Sequence, residues 1–175
     1  MAEITIRECR SDELTKSLDD LADVLHAAVH AGASVGFILP HALEDSRRFW
    51  QDMIFPSVKT GGRVLLLALA GKRIVGTAQL VIDLLPNQAH RGEVSKLLVH
   101  PDFRRQGIAR SLMAALETRA RELGKTLLTL DTRTGDTAEL LYHSLGFQTA
   151  GTIPGYCRAP DTDTLDATTY MYKTL

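Results

Sequence analysis

A mixed α/β fold is what this sequence predicts, with a central, mostly antiparallel sheet flanked by about four helices. Three observations predict it. Apolar stretches of period two and amphipathic stretches of period 3.6 succeed one another along the chain. The front half is dominated by a hairpin and the back half by helical crossovers, which requires both antiparallel and parallel neighbours. No linker, repeat or low-complexity tract interrupts the 175 residues, so 1–175 reads as one domain, long enough to bury a core without staples.

Ile4 and Ile6 alternate with polar neighbours as a short strand does. Leu14, Leu18, Leu21, Leu25, Ala28 and Val29 then recur at helical spacing, with Ser11 as N-cap and Gly32 past the end. Pro40 suits the first position of a second helix that carries Leu43, Phe49, Trp50 and Met53 and stops near Pro56 or Gly61; its aromatic and Met residues read as core. Val64–Leu69 and Ile74–Leu84, separated by Gly71-Lys72, read as a hairpin, and Glu93–Val99 as the next strand. Ile108, Leu112, Leu116 and Ala120 form a helical stripe closed by Gly124. Thr126–Thr132 is a further strand. Asp136 and Glu139 have capping-box spacing for a helix whose inner face is Ala138, Leu141, Tyr142 and Leu145. Phe147–Ile153 and Thr168–Tyr172 supply two last strands with a loop between them.

Twenty Lys and Arg against 21 Asp and Glu leave a net charge of −1, so no whole-molecule field steers the protein toward nucleic acid or an anionic membrane. Any anion site has to be local. Cys9 and Cys157 make neither a disulfide framework nor a Cys-x-x-Cys pair, which fits a reducing compartment. The start, Met1 to Arg7, alternates like a strand and lacks the layout of a signal peptide, and the longest apolar run, Val64 to Ala70, is too short for a bilayer. The expectation is a cytoplasmic protein.

The most informative stretch runs from Val94 to Leu112. A strand enters a turn with two arginines and a glycine, and the turn opens onto an amphipathic helix. The first turn of a helix has unpaired N–H groups and a positive dipole end, so main chain alone can bind a phosphate there. Gly107 permits close approach, Ala109 keeps the next position small, and Arg104, Arg105 and Arg110 add charge. Taken as an isolated R-x-x-G-x-A, solvated arginines and a turn glycine are an equal reading. The strand-loop-helix context favours a diphosphate cradle.

Arg104-Arg-Gln-Gly-Ile-Ala109 resembles the acetyl-CoA signature of the GNAT N-acetyltransferase superfamily, and Ala138 to Phe147 resembles its second hallmark, a helix with a tyrosine followed by Gly-Phe. The order of elements is similar to that family's acyl-CoA N-acyltransferase fold. A narrower resemblance, to tabtoxin-resistance acetyltransferases, is carried by Gly32 to Phe37, Glu93-Val-Ser-Lys-Leu, Leu130-Asp-Thr132, Pro154-Gly-Tyr-Cys157 and Tyr172 to Leu175. The loop Arg158 to Asp166 departs from that subgroup, which leaves the acceptor open.

The resemblance implies attack of an amine on the thioester of acetyl-CoA, without a metal. An alkylammonium with a pKa of about 10.4 must first lose a proton, which calls for a base. By the resemblance Glu93 is that base, directly or through water, and Asp131 shares the ammonium; their plain readings are a solvated strand-edge carboxylate and a turn organiser. Tyr142 takes the general-acid position and also meets the cofactor; its plain reading is a core tyrosine with a backbone partner. Leu98 stands where the family uses a backbone N–H on a bulged strand against the thioester oxygen, with Leu97 and Val99 giving main-chain contacts to pantetheine. Arg104, Arg105, Gln106, Gly107, Ile108, Ala109, Arg110 and Ser111 surround the diphosphate, in a splay between the Glu93 and Thr126 strands. Ser34, Phe37 and Tyr156 join Glu93 and Asp131 around the acceptor.

The implied partner is a small-molecule primary amine, an amino-acid-like toxin or antibiotic. Alternatives are a polyamine, aminoglycoside or protein amine, or a non-catalytic acyl-CoA sensor. Pairing with a second copy is carried only by the habit of relatives. His26 and His30 lie four apart without the Glu of a His-Glu-x-x-His motif, which argues against a metal. Cys157 with His143 would give a covalent acyl-enzyme if they met, which direct transfer does not need.

Overall fold

A strand that is apolar on both faces needs a layer on each. In the 63–70 strand, Leu65 and Leu67 join one buried cluster and Val64, Leu66 and Ala68 the other. The structure, a computed structural model, describes residues 3–175, so Met1 and Ala2 of the alternating start lie outside it. Seven strands, β1 (Ile4–Glu8), β2 (Arg63–Ala70), β3 (Arg73–Val81), β4 (Arg91–Val99), β5 (Leu127–Arg133), β6 (Gln148–Arg158) and β7 (Leu165–Thr174), form one sheet in the order β1-β2-β3-β4-β5-β7-β6. Helix α1 (Leu14–His30) and the helical segment α2 (Leu43–Arg48) to α3 (Phe55–Lys59) cover one face; α4 (Ile108–Glu122) and α5 (Thr137–Ser144) supply residues to the cluster on the other.

Every strand pair is antiparallel except β4 with β5. That parallel pairing lasts three residues, Arg91 with Leu127, Gly92 with Leu128 and Glu93 with Thr129. Beyond them β5 keeps β7 as far as Arg133, while β4 runs on to Val99 beside β3 alone. On its β3 side β4 carries a bulge. Between the Gln79–Ser95 and Thr77–Leu98 pairs, Lys96 and Leu97 oppose a single residue, and Lys96 takes a φ of 50°.

Several sequence expectations shift at the level of boundaries. Ser11 begins a short 3-10 turn instead of capping α1; the Arg10 N–H donates to the Glu13 carboxylate at 3.2 Å. Pro40 precedes α2 by three residues, in a loop whose Leu39 N–H donates to Pro160 O at 2.7 Å, and the Ala42 N–H is satisfied by Asp45. A π-helical stretch, Phe49–Ile54, leads into Pro56, which has no N–H to return to the preceding turn. The wider turns rotate Met53 outward, 66% exposed, so it is no core residue, while Trp50 is fully buried and donates to Leu21 O at 2.9 Å. Strand β3 stops at Val81 because the Ile82 and Asp83 N–H groups turn to Gly62 O. The last two strands are longer than expected; a register break between Ile153 and Cys157 absorbs Pro154-Gly-Tyr156 within β6. The capping pair before α5 is shifted by one residue: Asp136 accepts from Thr137 N and Glu139 from Gly135 N, each at 2.6 Å.

Gly92 sits in the middle of the short parallel ladder. A Cβ there would stand 2.6 Å from Leu80 Cδ1 and 3.5 Å from Leu128 Cδ2, both on fully buried leucines. Gly92→Ala is therefore expected to destabilise the fold by about 1–3 kcal/mol in urea unfolding, the range for overpacking a filled core. A variant as stable as the wild type would contradict this packing.

Candidate functional site

The parting of β4 from β5 leaves a cleft of about 830 Å³. One end is built by the start of α4. Gly107 holds a left-handed φ of 78°, and a Cβ on it would meet nothing within 4 Å, so the backbone here is open to a ligand. Ser111 is the first amide of the helix to find an acceptor, Gly107 O at 3.0 Å; those of Ile108, Ala109 and Arg110 have no intrahelical partner. Arg104, Arg105 and Arg110 line the cleft beside them, Arg110 steadied on Ser144 Oγ at 2.8 Å. Unpaired amides, a positive dipole end and three guanidinium groups form a site for a polyanion.

Leu97, Leu98 and Val99 line the middle of the cleft along the bulged edge of β4. The Leu98 side chain is buried in the α1-side core, and its main chain is not free either. With the His100 N–H donating to Val75 O and Gly76 opposite Val99, Thr77 and Leu98 form a hydrogen-bonded pair. The Leu98 N–H expected at the thioester is thus turned to β3, which leaves the main-chain groups of its neighbours Leu97 and Val99 for the cleft. Opposite stands Tyr142 on α5, 7% exposed, its ring 5.7 Å from that of Phe147. Its hydroxyl has no hydrogen-bond partner among the described residues and borders the cleft, which removes the reading of a core tyrosine tied to backbone. Burial, followed by Asp131 and Asp136, pushes this phenol well above its ordinary value.

The far end gathers the acidic groups. Glu93 is the last β4 residue in the parallel ladder, half exposed, with Arg91 Nη1 3.5 Å from its Oε2. Arg91 is itself held by Thr129 Oγ1 at 2.7 Å and Gln88 Oε1 at 2.8 Å. Asp131 is exposed at the wall of the cleft, and its Oδ2 accepts from Thr168 Oγ1 at 3.1 Å. Tyr156 borders the same end and shares a 2.8 Å hydrogen bond with Tyr170, which is pushed up to about 12, first by that bond. Ser34 Oγ lies 3.6 Å from Cys157 Sγ, tying the loop after α1 to β6.

Most residues expected from the sequence thus line one cleft: Glu93, Leu97, Leu98, Val99, Arg104, Arg105, Gly107, Ile108, Ala109, Arg110, Asp131, Tyr142, Ser34 and Tyr156. Three do not. Gln106 and Ser111 are exposed beside the helix start, off the cleft wall. Phe37 turns inward, with ring centroids 4.7 Å from His41 and 5.2 Å from Phe49, because an aromatic side chain gains more from that cluster than from water. Cys157 meets Ser34, and His143 lies off the cleft, so the imagined nucleophile-base pair is not assembled. His30 Nε2 lies 2.9 Å from the His41 carbonyl oxygen, and no group of three His, Cys, Asp or Glu residues suited to a metal occurs among the described residues. No helix among them is long and apolar enough to cross a membrane. Sequence reasoning missed Arg91, Tyr170 and Lys96; the last had a signal, a lysine directly before the apolar end Leu97-Leu-Val99 of its strand.

Residues 35–147 match the profile of a family described as acetyltransferase (GNAT). An N-acetyltransferase of the hisH-hisA intergenic region of Azospirillum brasilense is 36% identical over 137 residues, covering 76% of this chain and 77% of that protein. Solved structures share the fold. A putative acetyltransferase of Acinetobacter baylyi superposes with a TM-score of 0.82 at 19% identity, over 100% of this chain and 94% of that one. The yncA putative acetyltransferase of Salmonella typhimurium, solved with acetyl-CoA, gives 0.77 at 20%, over 99% and 95%. A ribosomal-protein-alanine N-acetyltransferase from Brucella melitensis gives 0.76 at 23%, over 98% and 99%.

Tyr142 carries a pH signature. The unfolded chain ionises this phenol near pH 10 while the folded protein keeps it neutral, so unfolding releases a proton and stability falls as pH rises above about 10. Urea midpoints at about pH 8 and pH 11 are expected to drop further in the wild type than in Tyr142→Phe. Equal drops would mean that the hydroxyl is not buried.

Proposed function

The chain belongs to the acetyltransferase (GNAT) family, and from that premise we propose an acetyl-CoA-dependent N-acetyltransferase acting on the primary amine of a small molecule, such as a toxin or antibiotic of the tabtoxinine-β-lactam type. The whole chain is read as one such domain, working in the cytoplasm. The observation that carries the reading is the parting of β4 and β5 beside an uncapped helix start, a cleft with cationic and amide donors at one end and carboxylates at the other.

Acetyl-CoA is the acyl donor, a substrate of the reaction, and the residues present fit it. The open space over Gly107, the unpartnered amides of 108–110 and the guanidinium groups of Arg104, Arg105 and Arg110 suit a diphosphate. The edge of β4 at Leu97 to Val99, with no strand facing it across the splay, offers main-chain groups to an amide-bearing arm. The Salmonella relative solved with acetyl-CoA supports the same choice. Bound there, the thioester supplies an electrophilic acetyl carbon and a thiolate leaving group.

The chain's own groups then divide the work. Asp131 and Glu93 hold the incoming ammonium, and Glu93 takes its proton, directly or through water, so that nitrogen has a lone pair to form the new bond. The donor to the carbonyl oxygen, as negative charge gathers on it, is assigned to the open main-chain edge of β4 at Leu97, because the Leu98 N–H is paired with Thr77 on β3. Tyr142 stays protonated and gives a hydrogen bond to the sulfur as the carbon–sulfur bond breaks, and the second proton that the nitrogen sheds on becoming an amide passes to the departing thiolate or to water. A thiol titrates near 8.5, below a phenol at about 10, so the hydrogen bond from Tyr142 stabilises the thiolate without requiring full transfer.

Thiol release from acetyl-CoA across a panel of amines that includes β-lactam amino acids tests the reading. Turnover of at least one small amine is expected; tight CoA binding with turnover of none would indicate a sensor. Glu93→Gln is expected to lower the rate by ~10²–10⁴ with CoA affinity little changed, and Tyr142→Phe to slow turnover more than binding. A Glu93→Gln rate within about twofold of wild type removes Glu93 from the mechanism.

A further inference from the structure

One partly buried cation in the cleft has no anionic counterpart among the described residues, whereas the unpaired Arg104, Arg105 and Arg110 are exposed. Lys96, at the bulge of β4, has a φ of 50°, which a residue with a side chain adopts at a cost. Its Nζ lies 5.6 Å from the centroid of the Phe49 ring and 3.9 Å from where a Cβ on Gly36 would be. Neither a hydrogen bond nor an ion pair reaches it among the described residues, whereas Arg91 has Glu93 and Lys173 has Glu117. Burial first, then Arg63, holds this ammonium below the ordinary lysine value, while Asp131 acts in the opposite sense. A largely desolvated cation that has the face of the Phe49 ring but no anion beside it is incompletely compensated in the resting protein and strengthens any anion contact made in the cleft.

We propose that Lys96 binds a carboxylate on the acceptor, so that the substrate class is a free amino acid with its ammonium at Glu93 and Asp131 and its carboxylate at Lys96. This rests on the acetyl-transfer reading above. The polyphosphate of CoA has its own cationic site at the start of α4, which leaves Lys96 to the acceptor. A protein N-terminus carries an amide where a free amino acid carries a carboxylate. The loop after α1 is also tied across to the β6–β7 hairpin by the Ser34–Cys157 contact and by the Leu39 N–H donating to Pro160 O, which favours a small acceptor over a chain.

The test compares thiol release with the common α-amino acids, the amines left by removing their carboxyl groups, their carboxamides, and short peptides with free N-termini. Wild type is expected to prefer the amino acids. Lys96→Met is expected to lower the ratio of kcat/KM for the amino acid over its carboxyl-free amine by about 10- to 100-fold, the scale of one charge-assisted hydrogen bond, chiefly through KM. Lys96→Arg restores part of that ratio, whereas Glu93→Gln slows both substrates and leaves it unchanged. If Lys96→Met does not fold, Lys96→Gln and the wild-type preference carry the same test. Wild-type turnover confined to carboxyl-free amines or peptides, an unchanged ratio in the variant, or stoichiometric acetylation of Lys96 by acetyl-CoA alone overturns this inference and spares the acetyl-transfer reading. Turnover of no amine at all overturns both.

Discussion

The structure depends on one interruption, the end of hydrogen bonding between β4 and β5 after Glu93 and Thr129. A continuous ladder would fill the middle of the sheet with backbone pairing and leave no concavity. Three pairs are enough to lock the two strands at their start, and past Glu93 and Thr129 the strands diverge because each is committed elsewhere. Strand β5 is held by β7 from Leu127 to Arg133, and β4 by β3, with a bulge at Lys96 and Leu97 that bends the strand.

The same interruption positions the helix. Chain leaving β4 at Val99 passes His100 and a short 3-10 turn before α4 begins at Ile108, and α4 then packs back across β3 and β2. Gly76 on β3 makes the close approach feasible: a Cβ there would meet Leu98 O at 3.0 Å and Ile108 Cγ2 at 3.3 Å. The start of α4 is thereby fixed beside the open edge of β4, so its dipole end and unpaired amides face the cleft and not bulk solvent. A protein of net charge −1 can thus hold a polyanion, because a few oriented amides and three arginines act over a short distance where the whole-molecule field is nearly nil.

Much of this was legible in the sequence, for reasons that are local. The stripe Ile108, Leu112, Leu116, Ala120 and the unbroken apolar run 64–69 are local signals that tertiary packing reinforces, and Gly107 after two arginines marks a loop that opens a helix. The illegible parts depended on distant partners. Phe37 looked like a pocket wall until Phe49 and His41 were folded against it, and Met53 looked like core because a regular helix was assumed where Pro56 enforces a wider one. The ends of β6 and β7 were missed because Pro154 and Gly155 read as loop, whereas a register break takes them into the strand. Lys96 was visible as a letter but not as a charge in the cleft, since only the bulge determines where its side chain goes.

Hydrogen–deuterium exchange with and without coenzyme A tests the parted strands most directly, because it reads individual backbone amides. The account predicts that CoA slows exchange at Leu97–Val99 and at Gln106–Arg110 together, with no change along β1 and β2. Protection confined to other segments, or none at saturating CoA, would contradict it.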